Sequence, residues 1–110
     1  MTLIPALQHY VDRLPLEEFE QSDWVTLHAD LVSYLAEFLI RRYGASWEVA
    51  DDPDGPVGYQ YVIEATGFDG VVRRVDPFAV VAGEFQELPV EVVRMLATAE
   101  YALGLTVVVE

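Results

Sequence analysis

From Trp24 through Leu27, Leu31, Leu35, Phe38 and Leu39 to Tyr43, apolar residues recur at steps of three and four; beyond Gly44 they alternate. A period that switches from 3.6 to 2 at one glycine requires a helix that stops and a strand that starts. Ser22 or Asp23 is the expected helix cap, Arg41 and Arg42 complement its negative end, and Gly44 is placed to end it. On the strand side, Trp47 and Val49 alternate with Ser46 and Glu48 as in a half-buried strand. Further on, Val57, Tyr59, Tyr61, Ile63 and Ala65 share one face, with Gly58, Gln60, Val62 and Glu64 on the other.

Two turn signals separate these runs. Asp51-Asp52-Pro53-Asp54-Gly55 reads as a hairpin turn, proline presetting φ and glycine accepting positive φ. Thr66-Gly67-Phe68-Asp69-Gly70 reads as a second turn, before a third strand at Val71-Val72-Arg73-Arg74-Val75. Three strands joined by short turns imply an antiparallel meander buried on one face by helices. Glu48 or Glu64 opposite Arg73 or Arg74 would pair across its solvent face.

The flanks read as helical. Leu3, Leu7, Tyr10 and Leu14 mark a short helix over 2–13, and Pro15-Leu16-Glu17-Glu18 looks like a second helical start. Asp76-Pro77-Phe78 reads as a cap, a proline at the first helical position and a buried Phe, opening a helix to about Phe85. Pro89 is expected to open the last helix, with Val92, Met95 or Leu96, Ala99 and Leu103 inward and Gly104 ending it. Thr106-Val107-Val108-Val109 would add a fourth strand or serve self-association. The expected fold is one α+β domain over 1–110: N-terminal helices, a three-stranded antiparallel meander, then C-terminal helices.

Composition excludes several chemistries. The 110 residues are 53% hydrophobic yet carry a net charge of −13, so the charge must line the surface of a filled core. The chain has no cysteine and no lysine. Disulfides, thiolate metal sites, Schiff-base chemistry and a phosphate-loop lysine are therefore out of reach. The opening MTLIPALQHYVDRLP lacks the basic and apolar segments of a secretory signal. The apolar run from Ala102 to Val109 is about half of the ~18–20 residues that cross a bilayer. A cytoplasmic protein without membrane contact is expected.

Candidate sites are few. Set on an EF-hand frame with Gly55 sixth, the acidic loop puts Ala50 first and Tyr61 twelfth, so the first ligand and the bidentate Glu are missing. In a meander, however, the end of the third strand points toward the first hairpin. Asp76 is thus expected at the same end as Asp51, Asp52 and Asp54, where four carboxylates would hold a cation weakly or favour a basic partner. His9 and His28 lie on different helices without a second ligand at chelating spacing. Ser22, Ser33 and Ser46 fall at a cap, in mid-helix and at a strand start, none in a glycine-flanked nucleophile turn. Glu64 is the acid most worth following, with pairing to an Arg the plainer role. Arg41-Arg42 and Arg73-Arg74 are too few among so much negative charge to hold a nucleic-acid backbone. Trp47, Tyr59, Tyr61, Phe68 and Phe78 belong to the sheet and its turns, where they either fill the core or line a small-molecule pocket.

From Leu31 to Phe78 the chain resembles a pattern found in small uncharacterised bacterial α+β domains. In that pattern a long helix ends in Arg-rich and Gly residues, a Trp opens the first strand, and a Pro-Phe pair follows the last. The resemblance implies the fold and supplies no catalytic residue. With no catalytic motif, no cofactor and no metal ligand set in view, the favoured expectation is a non-catalytic interaction module: an immunity, antitoxin, chaperone-like or adaptor protein. Its acidic surface would steer a partner with a basic surface, or the chain would self-associate. A small-molecule binder using the aromatic sheet face and an acidic nucleic-acid mimic are the alternatives.

Overall fold

The computed structural model describes residues 3–106. In chain order it has helix α1 (Leu3–Asp12), a 3-10 turn (Leu16–Glu18), helix α2 (Gln21–Tyr43) and strands β1 (Ser46–Asp51), β2 (Tyr59–Thr66) and β3 (Val72–Val75). Helices α3 (Pro77–Phe85) and α4 (Val92–Ala102) follow. The strands form one antiparallel sheet in the order β1-β2-β3, so the fold is the expected α+β meander between helices. Of the expected fourth strand, Thr106 to Val109, the residues from Val107 on lie outside the described residues.

Helix α2 is the spine. Leu27, Leu31, Leu35, Phe38 and Leu39 are buried as their spacing requires, and Gly44 adopts the left-handed conformation (φ 69°) that ends the helix. Its start lies earlier than Ser22 or Asp23: Glu20 is the cap, and Asp23 reaches back to accept from the Glu20 amide at 2.9 Å. A capping box is satisfied by an acid at either end, so the local sequence allowed both frames. Asp76 caps α3 as expected, its carboxylate accepting from the Phe78 and Ala79 amides at 2.9 and 3.2 Å. In the Asp76-Pro77-Phe78 motif, however, Pro77 is buried and Phe78 is exposed. The chain turns between strand and helix there, which sends the Phe78 side chain outward against His28.

The last helix begins at Val92 rather than at Pro89. Gln8, on α1, makes that start possible. Its carbonyl oxygen accepts from the Val92 amide at 2.6 Å, and its amide donates to the Val90 carbonyl at 2.8 Å. The preceding loop is held by a buried carboxylate: Glu84 accepts from the Glu91 amide at 3.0 Å and from Arg94 Nε at 3.1 and 3.0 Å. The core beneath joins α2, α4, Val11, Val81 and the lower sheet residues Ile63, Ala65 and Val75.

The β2–β3 turn is locked to the end of α4. Arg73 grips Asp69 through two bonds of 3.0 and 2.7 Å, and its guanidinium lies where a Cβ on Gly67 or Gly104 would have to sit. The Phe68 amide donates to the Gly104 carbonyl at 2.9 Å. Arg73, together with the Val71 amide, holds the Asp69 carboxyl at about 2, below its ordinary 3.8. This fixes one end of the sheet. The other end is free.

Candidate interaction surface on the first hairpin

Register assigns the faces of the sheet. Trp47 lies opposite Ile63, Val49 opposite Tyr61, Asp51 opposite Tyr59, and Ile63 opposite Val75. All of these side chains share one face, since directly opposed residues point the same way. Ile63, Ala65 and Val75 meet the helices and are buried. Two residues further along, β2 has left the helical layer. Tyr59, Tyr61, Trp47 and Val49 are 43, 51, 41 and 56% exposed, although their face is the one that forms the core below.

The reason lies in strand length. β3 stops at Val75, opposite Ile63, whereas β1 and β2 stay paired out to Asp51 and Tyr59. The chain then turns into α3, and the helical layer ends with it. The β1–β2 hairpin therefore projects beyond Ile63 and leaves Val49, Tyr59 and Tyr61 uncovered, the two tyrosine rings edge to face at 5.7 Å. Trp47, level with Ile63 but on the outer strand, is exposed beside them at the sheet edge, and Val57 is exposed in the turn. The core reading of the five sheet aromatics is corrected, because Trp47, Tyr59, Tyr61, Phe68 and Phe78 are all exposed. Phe68 sits apart at the opposite end, lining a 330 Å³ hollow with Arg42, Tyr43, Ala97 and Glu100.

The acidic loop forms the tip. The Gly55 amide donates to the Asp52 carbonyl at 2.9 Å, closing a turn over Asp52-Pro53-Asp54-Gly55, and the Asp52 amide donates to the Gly58 carbonyl at 2.9 Å. The hairpin expectation holds, but the positive φ belongs to Gly58 (81°) and not to Gly55. A Cβ at Gly55 would fall 2.4 Å from the Asp52 carboxylate, so a larger residue there would have to displace that side chain.

Asp76 does not join this tip. It follows Val75, and so stops three register steps short of the Asp51–Tyr59 pair, roughly 10 Å along the sheet. Its carboxylate is already engaged as the α3 cap. Among the described residues no three His, Asp or Glu side chains are gathered to hold a metal ion. The expected acidic end is thus Asp51, Asp52 and Asp54, with Glu48 on the neighbouring face. None of the four forms an ion pair among the described residues.

The remaining candidates have local duties. Glu64 pairs across the sheet with Arg74 at 2.8 Å, as its register predicts. That bond raises the Arg74 pKa, and the charges of Glu64, Glu48 and Asp51 add to it. His28 is half-buried, its Nε2 2.9 Å from the Phe78 carbonyl, while His9 is exposed beside Arg13 at 3.2 Å. Arg41 pairs with Glu37 one helical turn back, and Arg42 lies over the Phe38 and Tyr43 rings. Ser22 accepts a bond from Thr26 through its backbone carbonyl, and Ser46 donates to Glu48 at 3.4 Å. Neither serine is near a histidine partner in these bonds.

No family model, curated protein or solved structure matches this chain. Its function must be argued from its own residues. No helix among the described residues is long and apolar enough to cross a membrane. What sequence reasoning missed is the edge of β1 and the exposure of Val49. The available signal was the short run Val71–Val75, closed at once by Asp76-Pro77, against the longer alternation from Val57 to Ala65.

Proposed function

We propose that the chain is a non-catalytic interaction module that grips a basic protein with its projecting first hairpin. The observation that carries this reading is the uncovered face of Trp47, Val49, Tyr59 and Tyr61 next to the unpaired carboxylates of Asp51, Asp52 and Asp54. Contiguous exposed apolar surface rimmed by charge marks contact sites. Trp and Tyr are the side chains most often found at the energetic centre of such contacts. The carboxylates supply attraction at a distance and rejection of acidic surfaces, in a molecule whose net charge of −13 extends the same field.

The buried acid, Glu84, fits this reading by what it is already doing. Its oxygens are occupied by Arg94 and the Glu91 amide, so it holds a loop rather than awaiting a substrate.

The test is capture of basic proteins from the source cell, identification of the captured protein, and reconstitution of the purified pair. The expected pair dissociates as salt is raised, because its steering charges are exposed, and is lost in the Trp47→Ser/Tyr61→Ser double variant. Changing Val93 and Tyr101 to Ser, two exposed apolar residues on α4, is expected to leave it intact. A pair that survives the hairpin double variant, or that is insensitive to salt, overturns the reading.

A further inference from the structure

The hairpin offers more than a face. In an antiparallel ladder the opposed pairs alternate between those that exchange hydrogen bonds and those that do not. The Asp52 amide donates to the Gly58 carbonyl, one register step beyond the Asp51–Tyr59 pair. The bonded pairs are therefore Ala50–Gln60, Glu48–Val62 and Ser46–Glu64. The second ladder agrees: the Gly67 amide donates to the Val71 carbonyl, so the odd-numbered residues of β2 face β3 and the even-numbered ones face β1. The amides and carbonyls of Trp47, Val49 and Asp51 must then point away from β2, along the outer edge of β1.

That edge is unpaired among the described residues: β1 is terminal in the sheet, and no turn or loop bond reaches these three residues. One side of one strand thus presents an apolar and acidic face together with three sets of open backbone donors and acceptors. A long open edge recruits another strand unless something blocks it.

We infer that β1 accepts an extended, basic segment of the partner as a fourth strand. This rests on the reading of the hairpin as a protein contact and names how the contact is made. Charge decides the occupant. Pairing two β1 edges would bring two copies of Glu48, Asp51, Asp52 and Asp54 together, with no cation on either edge. A basic strand meets the same carboxylates with the opposite sign. Register gives its pattern. In an antiparallel approach, residues opposite Asp51, Ala50, Val49, Glu48 and Trp47 follow one another. The segment accordingly reads basic, any, apolar, basic, apolar, its two apolar side chains lying beside Val49 and Trp47 on the aromatic face.

The probe is a blocked peptide containing Arg-Thr-Val-Arg-Val between threonines, with Glu in place of both Arg as its control. Amide exchange is followed residue by residue on the intact chain. At saturation, the Trp47, Val49 and Asp51 amides are expected to slow at least tenfold, whereas those of Glu48 and Ala50, already in the ladder, change little. Val49→Pro removes an outward N–H and spares the inner ladder, and it is expected to weaken the peptide at least tenfold. The exchange measurement on the unaltered chain stands whether or not that variant folds. Four results overturn strand addition: no binding at millimolar Arg peptide, equal binding of the Glu peptide, or binding that leaves the three amides unprotected. The fourth is protection that rises with protein concentration alone, which would make a second copy the occupant. Binding without amide protection, but abolished by Trp47→Ser/Tyr61→Ser, would leave the face contact standing and refute only the strand.

Discussion

Ile63 and Tyr61 lie two residues apart on one strand and point to the same face, so replacing each with Ala measures where β2 leaves the core. Ile63 is fully buried within the cluster that joins sheet to helices. Its truncation removes transfer energy and leaves a cavity, costing about 2–5 kcal/mol. A value of about 3.5 kcal/mol suits a site enclosed on every side. Tyr61 has water on half its surface, and its packing is the Tyr59 ring and the opposed Val49. Cross-strand pairs contribute about 0.2–1 kcal/mol each, so Tyr61→Ala is expected to cost about 0.5–1 kcal/mol. With a urea slope of roughly 1.5 kcal/mol/M for a domain of this size, the midpoint falls by roughly 2 M for Ile63→Ala and by roughly 0.5 M for Tyr61→Ala. Equilibrium urea unfolding followed by both fluorescence and circular dichroism provides the assay, with unchanged slopes as its internal check. Equal losses at the two positions would refute the claim that the hairpin projects.

Two other positions test the scaffold. Gln8→Met keeps the length of the side chain but leaves the buried Val92 amide and the Val90 carbonyl without partners. Orphaning such groups costs about 1–3 kcal/mol, a loss of roughly 4–15 °C in Tm, and a shift below about 2 °C would show that α4 does not depend on Gln8. Asp69 titrates at about 2 because Arg73 and the Val71 amide favour its charged form. The stabilisation from this depressed value is complete above the ordinary 3.8 and is lost as pH falls toward about 2. Arg73→Met is expected to return the Asp69 midpoint, read by carboxyl carbon shifts, most of the way to 3.8. A midpoint that stays put would assign the depression to the backbone alone.

Helix α2, the meander and both of its turns were legible in the sequence because each rests on local patterning: a 3.6 period from Trp24 to Tyr43, alternation from Val57 to Ala65, and turn residues between. Interactions of long sequence separation were not legible. Gln8 fixes the start of α4 from 84 residues away, and nothing near Pro89 records it. The site was half legible. The alternation of Tyr59 and Tyr61 places them on the core face, yet a face is buried only where something covers it. Cover depends on where β3 ends and α3 begins. Asp76 shows the same limit from the other side: its direction in the meander follows from topology, but its distance from Asp51 depends on the unequal lengths of β1 and β3.

The central claim is that the projecting hairpin, and not the helical side, makes the partner contact. It is tested most directly by mapping backbone and indole amide shifts of the labelled chain as a purified basic partner is added. The account predicts perturbations concentrated at Trp47, Val49, Asp51, Tyr59 and Tyr61, falling away at Ile63 and absent from Val93 and Tyr101 on α4. Perturbations centred on α4 or α1, with the hairpin silent, would contradict it.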